Sequence, residues 1–521
     1  MLRSLSFLIL FQLFALALSS QPVIKWQSTL GGKNDDYLWD LKPTPDGGAI
    51  LAGTSLSPMS GDKTEDSQGG ADFWVIKIDD EGEWEWQNTI GGSGVDQLIS
   101  IQMTGDGGYL LAGDSTSPAD GDKTEDTVGE SDFWLVKIDS EGSIEWQNDI
   151  GGAAYEYNPS LIPTPDGGFL LGGYSNSDAS PDKSEDSQGG YDFWVIKLNA
   201  QGEIIWDQTI GGGDVDILMS LDVMQDGGYI LGGYSDSNAG GDKAEDSNGM
   251  FDFWAVKIDT LGEIEWQNTI GGSDTDWLNT LKATPDGGCI LGGASYSGIS
   301  GDITEPNQGA ADLWLVKLDA EGAIEWQNSI GGDGQDAIRS IALDTDGGYM
   351  IACSSTSTLS GDKTVPSWGA FDIWLLQTDE SGWVYWQEAL GGDHNDFLLS
   401  IQAISNTAYL VGGYSASGVS GNKTEPSQGF SDYWVLYLDE LTALPEMEEP
   451  SKTPLAYPNP GSDVLCIHPE TIFPIQILDA NGSVMVEKES FAEIIPVPHL
   501  PSGIYFIKEI SNGKTQKWIK N

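Results

Sequence analysis

A tryptophan returns every 60 residues along most of this chain: Trp26, Trp86, Trp146, Trp206, Trp266, Trp326 and Trp386. Gln follows it in every copy but the fourth, where Asp207 stands between Trp206 and Gln208, and a Gly-Gly pair comes next. The register runs without net insertion or deletion. The copies are therefore one structural unit repeated, which limits the fold to arrays whose neighbouring units bury each other's apolar faces.

The second copy shows what the unit is. A short strand is expected over 97–104, and Asp106-Gly107-Gly108 makes a hairpin turn, because Asp-Gly tolerates the positive φ of tight turns. A strand over 109–115, a polar loop over 116–131 and a third strand over 132–139 (DFWLVKID) follow. Glu141-Gly142 turns the chain into a fourth strand, 144–150. No stretch has a helical period. Four short strands meandering and repeated describe a propeller blade, so the expected fold is all-β, a seven-bladed β-propeller over 21–443. The ends support it. A Trp strand over 23–30 precedes the first three-strand unit, and the last unit ends at 433–439 without one. If the N-terminal strand completes the last blade, the ring shuts and no sheet edge is left open. An open solenoid is the alternative.

The charge belongs to the repeats. The formal net charge is −58. Residues 444–521 hold ten acids against six bases, and 1–20 hold Arg3 alone, which leaves −55 for 21–443. Such a surface repels nucleic acid and anionic lipid and attracts cations or basic partners. Two loops carry most of it, and in a propeller both emerge on one face. The fourth-to-first loop presents an acid ten residues after each Trp: Asp36, Asp96, Glu156, Asp216, Asp276, Asp336 and Asp396. The second-to-third loop reads GDKTED or a relative, with Asp62 and Asp66 in the first copy and Asp122 and Asp126 in the second. Clustered carboxylates suit Ca²⁺, which takes six to eight hard oxygen ligands. The metal candidates are Asp36, Asp62, Asp66, Asp96, Asp122, Asp126, Asp216, Asp276, Asp336 and Asp396. Against them, the loop lacks EF-hand spacing and holds a lysine (Lys63, Lys123, Lys183, Lys243). The plainer reading is that Asp and Thr bond their own loop backbone.

Other recurring residues read as structural. Asp72, Asp132, Asp192, Asp252, Asp312, Asp372 and Asp432 begin every third strand, where a carboxylate fixes strand entry by bonding loop amides. Trp74 and its six equivalents sit mid-strand, where blade-to-blade packing is expected. No catalytic residues stand out. The three histidines (His394, His468, His499) do not recur, and G-x-S-x-G, H-E-x-x-H and phosphate-cradling patterns are lacking. A carboxylate pair could act on glycosides, but acids in every blade single out no pair. The mild departures are Tyr155-Glu156-Tyr157-Asn158 in unit three and His394 in unit seven. Cys289, Cys353 and Cys466 build neither a disulfide framework nor a metal spacing.

The ends of the chain speak to location. Arg3, the apolar run 7–18 broken only by Gln12, and Ser19-Ser20 form a secretory signal peptide over 1–20, too short to span a membrane. No other segment is apolar enough to cross a bilayer. The periodicity stops near 443, and 444–454 is a Pro/Glu linker. Residues 455–521 have short β-like runs at 464–467, 475–478, 483–487, 494–497 and 504–510, the pattern of a small β-sandwich. This segment carries Tyr457-Pro458-Asn459-Pro460, Leu465-x-Ile467, Ile475-x-Ile477-x-Asp479-x-x-Gly482, Leu500-Pro501-Ser502-Gly503-Ile504-Tyr505 and a basic end, Lys514, Lys517 and Lys520. In these motifs it resembles the type A C-terminal sorting domain of the Por (type IX) secretion system of Gram-negative bacteria. The resemblance implies Sec export, passage of the outer membrane by the type IX machinery, removal of the sorting domain, and release or surface attachment. The acidic repeats resemble secreted propeller-type repeats joined to such domains, which implies no particular activity.

The function expected is a secreted or cell-surface binding or adhesion propeller for an extracellular glycan or protein, with Ca²⁺ as its candidate cofactor. Seven similar blades suit weak repeated contacts. A polysaccharide-acting enzyme and a structural surface-layer component are the alternatives. The first would need one blade to differ sharply at the channel mouth.

Overall fold

The computed structural model describes residues 22–440 apart from 345, 346 and 406. In the C-terminal part it describes 456–457, 464–467, 475–479, 484–488, 494–496, 500–501, 503–509 and 515–520. The signal peptide, the linker and Pro458, Asn459, Pro460 and Gly482 of the sorting motifs lie outside the described residues. No described helix is long and apolar enough to cross a membrane.

Residues 22–440 form seven four-stranded antiparallel sheets, one for each 60-residue unit. Blades 1–6 span 36–90, 96–150, 156–210, 216–270, 276–330 and 336–390. In blade 1 the strands are Asp36–Pro43, Ala49–Ser55, Asp72–Ile78 and Trp84–Ile90, from the inner strand to the outer one. Blade 7 takes three strands from 396–440 and its outer strand, Pro22–Leu30, from the other end of the chain. That closing strand pairs antiparallel with Asp432–Glu440, from Leu30 opposite Tyr433 to Pro22 opposite Glu440. The unit boundaries expected from the Trp period therefore stand. The inner strand of unit two starts one residue earlier than its apolar pattern suggests, at Asp96, because that acid pairs with Ser115.

Burial follows from stacking blade on blade. The second and third strands of blade 1, AILAGTS and DFWVIKI, are buried at every position. Each lies in a sheet covered on both faces, which is why the pattern is continuously apolar rather than alternating. The outer strand, WEWQNTI, meets water along its first half. Trp74 and its six equivalents are among the largest fully buried side chains. Each fully buried large apolar side chain contributes about 1.5–3 kcal/mol by leaving water.

Two glycines show how closely blades approach. A Cβ on Gly53 would stand 2.4 Å from Tyr433 Oη, so only glycine lets that ring cross from blade 7 to bond Trp74 O at 3.0 Å. Gly82 has φ +87°, and the Trp26 ring lies 2.7 Å from where its Cβ would be. Trp26 Nε1 donates to Asp80 O beside it at 2.9 Å. The recurring tryptophan, here and at Trp266, whose Nε1 donates to Ala320 O at 3.1 Å, thus staples an outer strand to the next blade's turn. It does so even across the closure, since Trp26 is in blade 7 and Asp80 in blade 1.

The C-terminal part forms a unit of its own, with a three-stranded sheet and a four-stranded sheet, both antiparallel. Each of the five expected runs holds a strand, at Val464–Ile467, Ile475–Asp479, Val484–Lys488, Ile494–Pro496 and Gly503–Glu509, while 483, 497 and 510 lie outside the described residues. Ala456–Tyr457 and Thr515–Lys520 are strands as well, the first too short and the second too basic to have been read as such.

Closure by 22–30 makes a direct prediction. A chain lacking 22–30 is expected to lose the whole propeller in one cooperative transition at a lower denaturant midpoint, because the edge of blade 7 and its staple to blade 1 go together. Calorimetry that shows loss of blade 7 alone, with an unchanged transition for the rest, would contradict closure.

Candidate functional site

The sequence directs attention to the acidic loops, and their carboxylates prove to be occupied. Asp36 is fully buried, and its Oδ2 accepts from Gly32 N at 2.7 Å and Ser57 Oγ at 3.0 Å. Asp96 accepts from Gly92 N and Ser117 Oγ, Asp216 from Gly212 N and Ser237 Oγ, and Asp276 from Gly272 N and Ser297 Oγ. Asp336 repeats this with Gly332 N and Ser357 Oγ, and Asp396 with Gly392 N and Ser417 Oγ. Burial pushes Asp36, Asp216 and Asp396 up, and Asp276 to about 6, against the lowering of these hydrogen bonds.

The second-to-third loops are clasps. Asp62 Oδ2 accepts from Gly31 N at 3.2 Å and from the Gln428 amide, both of blade 7, and so ties blade 1 to its neighbour. Asp122 does the same with Gly91 N and the Gln68 amide. Asp66 and Asp126 stay within their loops and accept from Met59 N and Ala119 N at 2.8 Å each. Glu65 Oε2 reaches Thr89 N of the outer strand at 2.7 Å, a free edge amide otherwise left to water. Lys63 is buried beneath, with Nζ donating to Ser57 O and Ser67 Oγ at 3.0 Å each. Among the described residues no three His, Cys, Asp or Glu side chains converge in a set able to hold a metal ion.

The expected role of the third-strand acids is seen too. Asp72 Oδ2 accepts from Gln68 N at 2.5 Å, and Asp132 Oδ2 from Val128 N at 2.5 Å. Asp207, the odd residue of the fourth Trp strand, takes over the glutamine's acceptor duty. It accepts from Trp194 Nε1 at 3.0 Å and Ser184 N at 2.9 Å, as Gln87 Oε1 does from Trp74 Nε1 and Thr64 N.

What breaks the repeat is the inner strand of blade 3. Six blades place a fully buried Leu or Ile two residues after the first acid: Leu38, Leu98, Leu218, Leu278, Ile338 and Leu398. Blade 3 has Asn158, with φ +58°, the one non-glycine residue in the left-handed region among the described residues. Pro159 follows, and pairing with the second strand skips both residues, from Tyr157 to Ser160. Asn158 N donates to Asp114 Oδ1 at 3.5 Å, where the equivalent Leu98 N donates to Thr54 Oγ1. Asp114 replaces that threonine in blade 2, and burial pushes its carboxyl up to about 7. Local strain of this kind persists where the surroundings over-determine it, and it collects at ligand sites.

Four tyrosines gather over this point. Tyr155 and Tyr157 stack at 5.5 Å, Tyr157 meets Tyr174 at 5.9 Å, and Tyr174 meets Tyr191 edge-on at 5.3 Å. The aromatic surface continues through blades 4 and 5. Tyr234 contacts Phe251 at 5.5 Å and Trp277 at 6.4 Å, and Trp277 contacts Tyr296 at 5.5 Å. All sit at the loop-bearing ends of the strands and are partly open to solvent, Trp277 most of all at 39% exposure. Only Tyr155, Tyr157 and Asn158 of this set were marked by sequence. The signal for the rest lay in aligning the units, where Tyr157 and Trp277 share a position, as do Tyr174 and Tyr234. His394 is isolated, 66% exposed and paired with Asp393 at 3.1 Å.

Comparison with known proteins agrees with the C-terminal motifs. Residues 455–521 match the family described as the secretion system C-terminal sorting domain. Tyr505 of that segment is buried and donates to Pro501 O at 2.9 Å. The chain is 21% identical over 391 residues to the regulatory protein FlaEY of Caulobacter vibrioides, covering 69% of this chain and 40% of that one. It therefore spans well under half the length of that relative. Among solved structures it is similar to PorZ of Porphyromonas gingivalis, a bacterial surface component of the type-IX secretion system. That likeness has 12% identity and a TM-score of 0.40, over 94% of this chain and 60% of that one. A second is the Pan2 WD40 domain of Neurospora crassa, with 9% identity and a TM-score of 0.42, over 82% and 98%. The chain is a propeller-type protein whose C-terminal sorting domain marks it for type IX export to the cell surface or the extracellular space.

Proposed function

We propose that the mature chain is a non-enzymatic binding propeller that holds a neutral extracellular glycan along the aromatic band of blades 3–5. The observation that carries this reading is the band itself. Two groups of partly exposed rings, Tyr155 to Tyr191 and Tyr234 to Tyr296, have internal spacings of 5.3–6.4 Å, and the first lies on the blade where the repeat is broken. Aromatic faces offer large rigid contact area at low entropy cost, and phenol hydroxyls with Asp114 supply polar partners for sugar hydroxyls. The net charge of −58 disfavours anionic polymers. The repeated carboxylates support binding over hydrolysis, because those of the inner strands are buried and engaged by backbone amides.

Affinity electrophoresis through soluble β-glucan, mannan and xyloglucan, with alginate as the anionic probe, tests this. A neutral polymer is expected to retard the protein, and W277A is expected to weaken that retention about tenfold, roughly 1.4 kcal/mol. Trp383, 72% exposed on a third-to-outer turn, is the control, and W383A should change nothing. Retention by alginate alone, or equal retention of W277A and W383A, would overturn the band as the site.

Calcium dependence is the finer part of the expectation, and the carboxylate bonding supports a propeller that folds without it. Thermal midpoints in EDTA, CaCl₂ and MgCl₂ at matched ionic strength are expected to coincide within about 2 °C, since no ion-sized ligand set must be filled. A rise specific to CaCl₂ would return the loops to the role of ligand cages.

A further inference from the structure

Blade 2 holds a buried pair found in no other blade. Its loop lysine, Lys123, has counterparts in Lys63, Lys183, Lys243, Lys363 and Lys423. The outer-strand position facing it is Thr89, Thr209, Thr269, Ser329, Ala389 and Thr29 in the other blades, and Asp149 in blade 2. In blades 3 and 4 the lysine donates to the threonine, Lys183 to Thr209 Oγ1 at 2.7 Å and Lys243 to Thr269 Oγ1 at 2.8 Å, whereas in blades 1 and 7 Lys63 and Lys423 donate to Ser67 Oγ and Ser427 Oγ instead. In blade 2, Lys123 Nζ stands 2.6 Å from Asp149 Oδ1, with the two side chains 0% and 3% exposed. Nζ also donates to Ser115 Oγ at 3.1 Å, Ser117 O at 3.2 Å and Thr127 Oγ1 at 2.6 Å, which fix it beside the carboxylate.

The surroundings fit a reaction better than a resting ion pair. Nζ lies 5.9 Å from the centre of the Trp134 ring, and water is shut out on that side. Two charges moved out of water cost several kcal/mol each, and passage of one proton from Nζ to Asp149 would give the neutral amine and neutral acid that an amide bond requires. A third group is in place. Asp132 is fully buried and lies against Asp149; desolvation first, and then that neighbour, push its carboxyl up to about 7. Burial also pushes Asp149 up. Glu156 also bonds the Asp132 carboxyl.

We infer that Lys123 and Asp149 join in an intramolecular amide bond, formed by the folded protein itself. The lysine Nζ attacks Asp149 Cγ, one C–N bond forms, and Asp132 carries a nitrogen proton to the departing hydroxyl. One C–O bond breaks and one water leaves, with no oxidant or cofactor needed. A groove of about 460 Å³ between the outer edges of blades 2 and 3, with Asp149 in its lining, gives that water a way out. The product ties the second-to-third loop to the outer strand of the same blade. It stabilises as a disulfide would, by restricting the unfolded chain, and it cannot be reduced.

Intact mass spectrometry of the purified full chain tests this, followed by fragmentation of a protease digest. The wild type is expected to be lighter than its sequence by one water, with a branched peptide joining 123 to 149. D149T, which restores the residue type of four other blades, should fold and have the full mass. D132N, which keeps the shape of the side chain, should leave most of the chains unlinked. A wild-type chain of full mass overturns the inference and leaves an ordinary buried ion pair. So does a water loss that persists in D149T or maps to an Asp-Gly turn.

Discussion

The bond on which the loops of this propeller depend is a carboxylate accepting from a backbone amide out of reach of water. It occurs at the start of the inner strand, where Asp36 takes Gly32 N, and at the start of the third strand, where Asp72 takes Gln68 N. A buried ion without partners would cost far more than a blade contributes, and the amides with one buried lysine offset that cost. Lys63 lies close enough to Asp36 and Asp72 to act on both. Two acids and one base leave each such blade an excess of carboxyl groups. Desolvation then raises several of them: Asp192, Asp312 and Asp432 to about 6 and Asp132 to about 7.

That arrangement explains why an unusually acidic chain can close a ring. The charge that must lie inside is partly protonated or bonded, and the remainder faces solvent, where it repels anionic partners and keeps edges apart. Closure itself is local chemistry repeated once more. Gln27, Thr29 and Trp26 of the N-terminal strand make with blades 7 and 1 the bonds that Gln87, Thr89 and Trp266 make in the interior: Gln27 Nε2 donates to Asn422 O, Thr29 N to Glu425 Oε2 and Trp26 Nε1 to Asp80 O. A strand from the far end of the chain fits because it is the same strand.

Much of this was legible because the repeat is in register. The Trp and Gly-Gly spacing located every blade, and Pro22–Leu30 could be placed by counting strands. The third-strand aspartates were read correctly because their work is local, four residues away. The loop acids invited a ligand reading because a sequence shows that Asp62 is an acid but not that Gln428, 366 residues away, already holds it. The aromatic band was missed for a similar reason. Tyr234 and Trp277 are far apart in the chain and meet only when blades are laid side by side. Asn158 was noticed as unusual, but that it turns the backbone to φ +58° depends on Asp114 of the next blade waiting to receive its amide.

We read the buried carboxyls as internal struts whose affinity for protons is raised by burial, not as sites awaiting a cation. Groups raised from 3.8 to about 6 or 7 bind more protons folded than unfolded between pH 4 and 7, so their contribution to stability is complete at the acidic end and is lost as pH rises through 6–7. Exposed acids held low by a threonine hydroxyl and then a lysine, such as Asp46 and Asp106 at about 2, lose their contribution only below that window. Denaturant unfolding of the mature chain from pH 4 to 8, in about 1 M salt to screen surface repulsion to within roughly 3 Å, is the direct measurement. The account predicts a stability that climbs as pH falls from 7 to 5. A stability that is flat or falls over that range would mean the carboxyls are ionised in the fold, and the claim would not stand.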